Sequence, residues 1–180
     1  MIIIGIDGGL SGGLVSLEDG KIQAMTVMPT MTIAGTSRRE FLANEIVRWI
    51  VLNKPDKVIF EQAQAFPGQG VVSMFSTGYG YGMIRGILAA RLIPYTIVHA
   101  KSWQKVMFDG LNKEDTKVTA AIVAAQLFPG ADLRGSEKSK KPHEGIVDAL
   151  LIAAYGYRTY CKEGTAHEEA AEEEASFAQT

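Results

Sequence analysis

The sequence predicts an α/β domain: a mixed five-stranded sheet of three antiparallel hairpin strands followed by two parallel strands, with helices on both faces. Three observations carry this. Residues 2–28 read as three strands joined by tight turns. From there to about residue 160, short β-branched runs alternate with stretches of helical periodicity. And 180 residues suit a single domain with a sizeable core. The resulting order, β-β-β-α-β-α-β-α-α, places helices over a sheet that has parallel members.

The elements follow in order. Ile2, Ile3, Ile4 and Ile6 form a nearly continuous β-branched run, the signature of a central strand covered on both faces. Asp7 closes it, and four glycines follow within six positions. "GLVSLEDGKIQAMTVM" alternates and turns at Asp19-Gly20, a hairpin dipeptide. "TIAGTSRRE" reads as a loop, and Ser37 with Glu40 three residues on matches a capping box. The helix it would start, about 38–53, sets Phe41, Ile46, Trp49, Ile50 and Leu52 at mostly helical spacing. "KVIFEQ" is a strand ending at Glu61, and "AFPGQG" a loop. Residues 71–92 read as a helix whose Gly78, Gly80, Gly82 and Gly86 suit close helix packing. "IPYTIVHA" is a strand, and "AKSWQKVMF" a short helix or turn. "KEDTKVTAAIVAAQLF" is an Ala-rich helix, "DLRGSEKSKKP" a basic loop, and "HEGIVDALLIAAYGYR" an amphipathic helix.

Composition narrows the function classes. Cys161 is the only cysteine, so an internal disulfide is excluded, which fits a reducing, cytoplasmic setting. The first residues lack the basic region of a signal peptide, and no apolar run reaches the ~18 residues of a membrane span. The net charge of −2 conceals an asymmetry. Residues 162–180 hold six of the 20 acids and one of the 18 bases, so residues 1–161 carry 17 bases against 14 acids, a net of +3. The sequence therefore predicts a domain over 1–160 and a solvated, mobile acidic tail over 161–180.

Three acids stand where a domain of this type would gather them. Asp7 lies late in the first strand, Glu61 ends the fourth, and Asp148 sits among Ala149, Leu150, Leu151 and Ile152. Glu144 is four residues before Asp148 and shares its helical face, with His143 one residue off it. Any one alone could be a cap or an ion-pair partner. Together, crowded carboxylates raise one another's pKa unless divalent cations neutralise them. Oxygen ligands without cysteine suit Mg²⁺, with Mn²⁺ as a substitute. Two such ions ~3.5–4 Å apart serve phosphodiester hydrolysis.

"GIDGGLSGG", "VIFEQ", "IRGIL" followed by "IPYTIVHAKSWQKVM", and "HEGIVDALLIAAYG" together resemble RuvC-type Holliday-junction resolvases, above all the bacteriophage branch of this group in the RNase H-like superfamily. The likeness runs in order over about residues 1–158. It implies an RNase H-like fold and a metal-dependent endonuclease that nicks four-way DNA junctions as a homodimer. It maps the ligating acids to Asp7, Glu61 and Asp148. Where many members place another acid or a His, this chain has Gly145, so Glu144 or His143 takes that part, Glu144 favoured. The resemblance further implies a basic catalytic residue at Lys101, another bracketed by Lys113 and Lys117 with Asp115 in or near its place, and an aromatic DNA contact at Phe66 or Phe75. It assigns the glycine-bearing helix to the dimer contact.

Further phosphate contacts are expected from Lys105 and from Arg134, Lys138, Lys140 and Lys141 in the basic loop. Trp103 reads as packing, Arg38 and Arg39 as solvent-facing on the first helix, and His99 as structural. Other readings compete. Flap, branched-DNA or RNA–DNA hybrid cleavage is open to the same fold. "GIDGG" also resembles the first phosphate loop of sugar-kinase and actin-like ATP-binding domains, although that fold needs two such domains. A nuclease-dead junction-binding module would not need all three acids. "GYGYGM" lacks the glycine frame of a dinucleotide loop.

Overall fold

The computed structural model of the chain describes residues 1–65, 67–111 and 115–177, with side chains up to Tyr160. Its strands are β1 (Ile2–Asp7), β2 (Gly13–Glu18), β3 (Lys21–Val27), β4 (Thr30–Thr32), β5 (Arg39–Phe41), β6 (Lys57–Glu61) and β7 (Tyr95–Val98). Its helices are α1 (Ala43–Leu52), α2 (Val71–Ala90), α3 (Ala100–Met107), α4 (Thr116–Leu127) and α5 (Glu144–Phe177).

The main sheet has five strands in the order β3-β2-β1-β6-β7. β1, β2 and β3 pair antiparallel, and β6 joins β1, then β7 joins β6, in parallel. This is the predicted mixed sheet. Its central strand is β1, whose Ile3, Ile4 and Ile6 are fully buried. The β2–β3 hairpin turns at Asp19 and Gly20, both with positive φ (48° and 76°), as an Asp-Gly turn of the primed type requires.

Period-two alternation divides the strand residues between two cores. Ile3, Val15, Leu17 and Ile59 face one side, under α3, α4 and α5. Ile4, Ile6, Leu14, Val58 and Phe60 face the other, under α1 and α2. Helices cover both faces, as expected. Ser16, the buried polar residue of β2, bonds to Gln23 at 2.8 Å.

The structure corrects one segment. The capping box at Ser37 and Glu40 does not form, and no helix begins at residue 38. β4 and β5 instead make a two-stranded hairpin, with Met31 opposite Glu40 and Thr32 opposite Arg39. α1 starts at Ala43 after Leu42, which offers no side-chain cap. The physical reason lies in Phe41: as part of β5 it is buried against Gly80 of α2, whereas Leu52, assigned to the same helical stripe, is 67 % exposed. Arg38 and Arg39 therefore lie on the hairpin and not on a helix.

Candidate active site at the carboxyl edge of the sheet

The same alternation sets two acids side by side. Ile3, Gly5 and Asp7 share one face of β1, and Ile59 and Glu61 share that face of β6. Ile6 lies opposite Phe60 in the parallel pairing, so the next residues, Asp7 and Glu61, finish neighbouring strands at one edge. A cleft of about 260 Å³ opens there, its lining including Asp7, Gly8, Gly9, Glu61, Gln64 and Tyr81.

Asp148 arrives from α5, and glycines decide where α5 can lie. A Cβ on Gly5 would collide with the Ala149 carbonyl and the Ala153 nitrogen. A Cβ on Gly145 would collide with the backbone of Gly12 and the Ser11 carbonyl, and one on Gly13 with the Gly145 carbonyl. Backbone therefore meets backbone at the first turns of α5, which draws Asp148 over the strand ends. It also explains why position 145 carries no ligating side chain: there is no room for one.

The acids feel one another. Burial, then the charges of Asp7, Glu61 and Glu144, push the Asp148 carboxyl up to about 7, against the opposing pull of Lys117. Burial also raises Asp7, opposed by the Gly9 N–H that donates to its Oδ1 at 3.1 Å and by the charge of His143. Glu61 is raised by burial and by Asp7, while an indole hydrogen bond from Trp103 holds it down. Three carboxylates with elevated affinity for protons form a site short of positive charge. Among the described residues no group of three or more His, Cys, Asp and Glu side chains is arranged so that it could hold a metal ion. By donor type alone, the set of Asp7, Glu61 and Asp148, all oxygen, partly buried and borne by three different elements, is of the kind that hard divalent cations take.

The other candidates separate into groups. Glu144 lies on the surface, its carboxylate 2.7 Å from Lys117 Nζ. That contact places Lys117 beside both Glu144 and Asp148 and raises its pKa. His143 is occupied at the start of α5: its Nδ1 takes the Ile146 N–H at 3.3 Å, its carbonyl takes Val147 N–H, and its own N–H donates to Leu133. Asp115 caps α4, its Oδ1 accepting from the N–H groups of Lys117 and Val118. Lys101 and Lys105 are exposed on α3, as are Lys138, Lys140 and Lys141 on the basic loop. Arg134 is committed to Asp132 by two bonds of 2.6 and 2.7 Å, which hold that carboxyl near 2. Phe75 is 75 % exposed, its ring near-parallel to Tyr79 with centroids 6.5 Å apart, so it is not core. Phe66 and Lys113 lie outside the described residues.

Two contacts escaped the sequence. Trp103 packs as expected but also donates its indole N–H to Glu61. Arg39 reaches Ser11 Oγ at 3.2 Å and so ties the β4–β5 hairpin to the turn after Asp7. The first had a signal: an indole on the helix after a strand that neighbours an acid must find an acceptor if it is buried. The second had none, because it depends on a hairpin read as a loop. His99, read as structural, pairs its Nδ1 with Gln64 at 3.1 Å on the rim of the cleft.

No protein-family model matches the chain, and no curated protein matches it. Solved structures do. Thermus thermophilus RuvC in complex with Holliday junction substrate is similar at TM-score 0.59 and 16% identity, over 92% of this chain and 98% of that one. The yeast mitochondrial Holliday junction resolvase Ydc2 is similar at TM-score 0.56 and 16% identity, over 89% and 83%. Fowlpox virus resolvase, solved with substrate Holliday junction DNA, is similar at 0.51 and 13%, over 89% and 99%. The chain has the RNase H-like fold of these resolvases. Among the described residues no helix is long and apolar enough to cross a membrane.

Proposed function

We propose that this chain is a divalent-metal-dependent endonuclease that nicks branched DNA, with four-way junctions as its main substrate, acting as a homodimer in a cytoplasmic compartment. One observation carries the reading: Asp7, Glu61 and Asp148, far apart in sequence, come to one sheet edge where burial raises all three and neighbouring carboxylates raise Glu61 and Asp148 further. The fold shared with three junction resolvases supports the choice of substrate.

Asp7, Glu61 and Asp148 would hold Mg²⁺ or Mn²⁺, with Glu144 as the fourth group once it exchanges Lys117 for the ion. When bound, such ions activate a water and neutralise the leaving oxygen of a phosphodiester. The chain's own part is positioning. Gly8 and Gly9 keep the floor of the cleft open beside Asp7, so that a sugar-phosphate backbone can approach. Lys101 and Lys117, flanking the site, take the charge of the scissile phosphate. His143 fixes the first turn of α5 and, through its charge, favours the ionised form of Asp7. Lys105, Lys138, Lys140 and Lys141 hold flanking phosphates without reading sequence. Arg134 adds little to them, since Asp132 cancels its charge. Phe75 offers a stacking surface for an unpaired base; stacking of this kind is worth ~1–3 kcal/mol per base.

The test is a panel of four-way junction, Y-fork, flap, RNA–DNA hybrid and linear duplex with Mg²⁺ or Mn²⁺. Wild-type protein is expected to nick the junction fastest. Asp7→Asn is expected to bind the junction and leave it uncut, and undiminished cutting by this variant rejects the assignment.

A further inference from the structure

We infer that Trp103 is a positioning residue for the metal site: its indole N–H fixes one oxygen of Glu61 so that the other is presented to the ion. The inference rests on the proposed role of Glu61 as a ligand.

The geometry is specific. Glu61 is the last residue of β6 and pairs in register with Val98 at the end of β7. The chain leaves β7 through His99 and enters α3, whose first turn folds back over the end of β6. Trp103 sits on the inner face of that helix, 1 % exposed, with its ring edge-on to Phe108 at a centroid distance of 5.6 Å. Its Nε1 donates to Glu61 Oε2 at 2.6 Å. An indole has a single N–H and no acceptor, so the direction of this bond is not in question. The distance is that of a charge-assisted bond.

Packing alone does not account for the pair. The ring's burial against Phe108 would be served as well by phenylalanine, which needs no partner. A buried indole brings a donor that must be satisfied, and here a half-buried acid at the mouth of the cleft satisfies it. The bond removes rotational freedom from Glu61 and occupies Oε2, leaving Oε1 for the cleft. Asp7 receives the equivalent service from the Gly9 N–H, which holds its Oδ1. Both strand-end acids thus have one oxygen pinned by a donor from the fold and, among the described residues, no hydrogen bond on the other. Outer contacts that orient a ligand typically change metal affinity or activity by 10–100-fold.

Trp103→Phe keeps the ring and deletes the donor. Mn²⁺ binding to the free protein, followed by calorimetry or electron paramagnetic resonance, is expected to weaken by about 10–100-fold. Junction affinity in Ca²⁺ should stay near wild type. In a Glu61→Gln background the same substitution should add nothing. Mn²⁺ affinity within about twofold of wild type, or a loss that simply adds to that of Glu61→Gln, overturns the inference. A second measurement needs no variant to fold. The chain has two tryptophans, Trp49 and Trp103, so ¹⁵N-labelled wild-type protein shows two indole N–H signals. Mg²⁺ should shift one and leave the other, Trp49 on the opposite sheet face, in place. Two unmoved signals in a protein that nicks junctions with Mg²⁺ sink this inference alone. A protein that binds Mn²⁺ with the expected indole shift yet cuts no DNA sinks the nuclease reading and leaves the positioning role intact.

Discussion

α5 and α2 lie on opposite faces of one sheet, and both interact with glycine, but to opposite ends. Along the described part of α5, up to Tyr160, both glycines are filled. Gly145 meets the Gly12 backbone, Gly156 meets Ile59, and Gly5 and Gly13 of the sheet receive the helix in return. α2 buries Gly80, Ile84 and Leu88, whereas Gly78, Gly82 and Gly86 have nothing within 4 Å. The same face carries Val71, Val72, Phe75 and Tyr79, all at least half exposed. Glycine in a helix interior costs about 1 kcal/mol relative to alanine. On α5 the fold recovers that cost in close packing that delivers Asp148. On α2 nothing among the described residues recovers it, which supports the second copy as the partner of this face.

The sharpest way to break the contrast is to fill a glycine on the α5 side. Gly5→Ala places a methyl group on the backbone of Ala149 and Ala153, atoms that cannot swing aside. Overpacking of a core typically costs 1–3 kcal/mol, and a clash with backbone should cost about 3 kcal/mol or more. With total stabilities of about 5–15 kcal/mol, that is a large share. Denaturant unfolding should show it, and what remains folded should have lost nicking, because Asp148 moves with the helix. A Gly5→Ala variant as stable and active as wild type would mean that α5 is not seated as described.

Much of this was legible in the sequence, and the parts that were not have physical reasons. Ile2–Ile6 announced a central strand, and Asp7 at its end announced a site, because a charge in such a run needs a purpose. The Asp19-Gly20 turn was readable because only a few residues tolerate its backbone. The β4–β5 hairpin was not, since three-residue strands have almost no periodicity and Ser37 with Glu40 imitates a cap. The role of Gly145 was hidden as well: its missing side chain matters only against Gly12, more than a hundred residues away. Trp103 showed its packing and, as a buried indole, its need for an acceptor, but not that the acceptor is Glu61, which belongs to another strand.

A pH series probes the α5 side more gently. The Asp148 carboxyl rises from its ordinary value to about 7 in the folded chain. Between about pH 4 and 7 the folded state therefore holds a proton that the unfolded state has released, and stability falls as pH rises, by at most about 1.4 kcal/mol per unit. The metal-free protein should be more stable at pH 5 than at pH 8. Asp148→Asn should flatten the profile and raise the melting temperature at pH 8, and Mg²⁺ should stabilise wild type more at pH 8 than at pH 5. A stability that is flat or rises over this range in the metal-free wild type would show that Asp148 is not held in the strained, proton-seeking state described.

The smallest effect, and the one that tests α2, comes from the reverse substitution. Gly82→Ala and Gly86→Ala put methyl groups into open space on a helix with no positive φ at either residue. Each should raise the stability of the isolated chain by roughly 0.4–1 kcal/mol through helix propensity and a less flexible unfolded state. If two copies of α2 pack glycine to glycine, the same methyl groups hold the helices apart. The pair of substitutions should then shift the monomer–dimer equilibrium toward monomer, by about tenfold or more in dissociation constant, while the melting temperature of dilute protein rises. Sedimentation equilibrium at micromolar concentration reads the first and calorimetry the second. Opposite signs in the two measurements are the mark of a face built for contact with another chain. A gain in stability with no change in association would leave the three glycines without a partner and move the dimer contact elsewhere on the molecule.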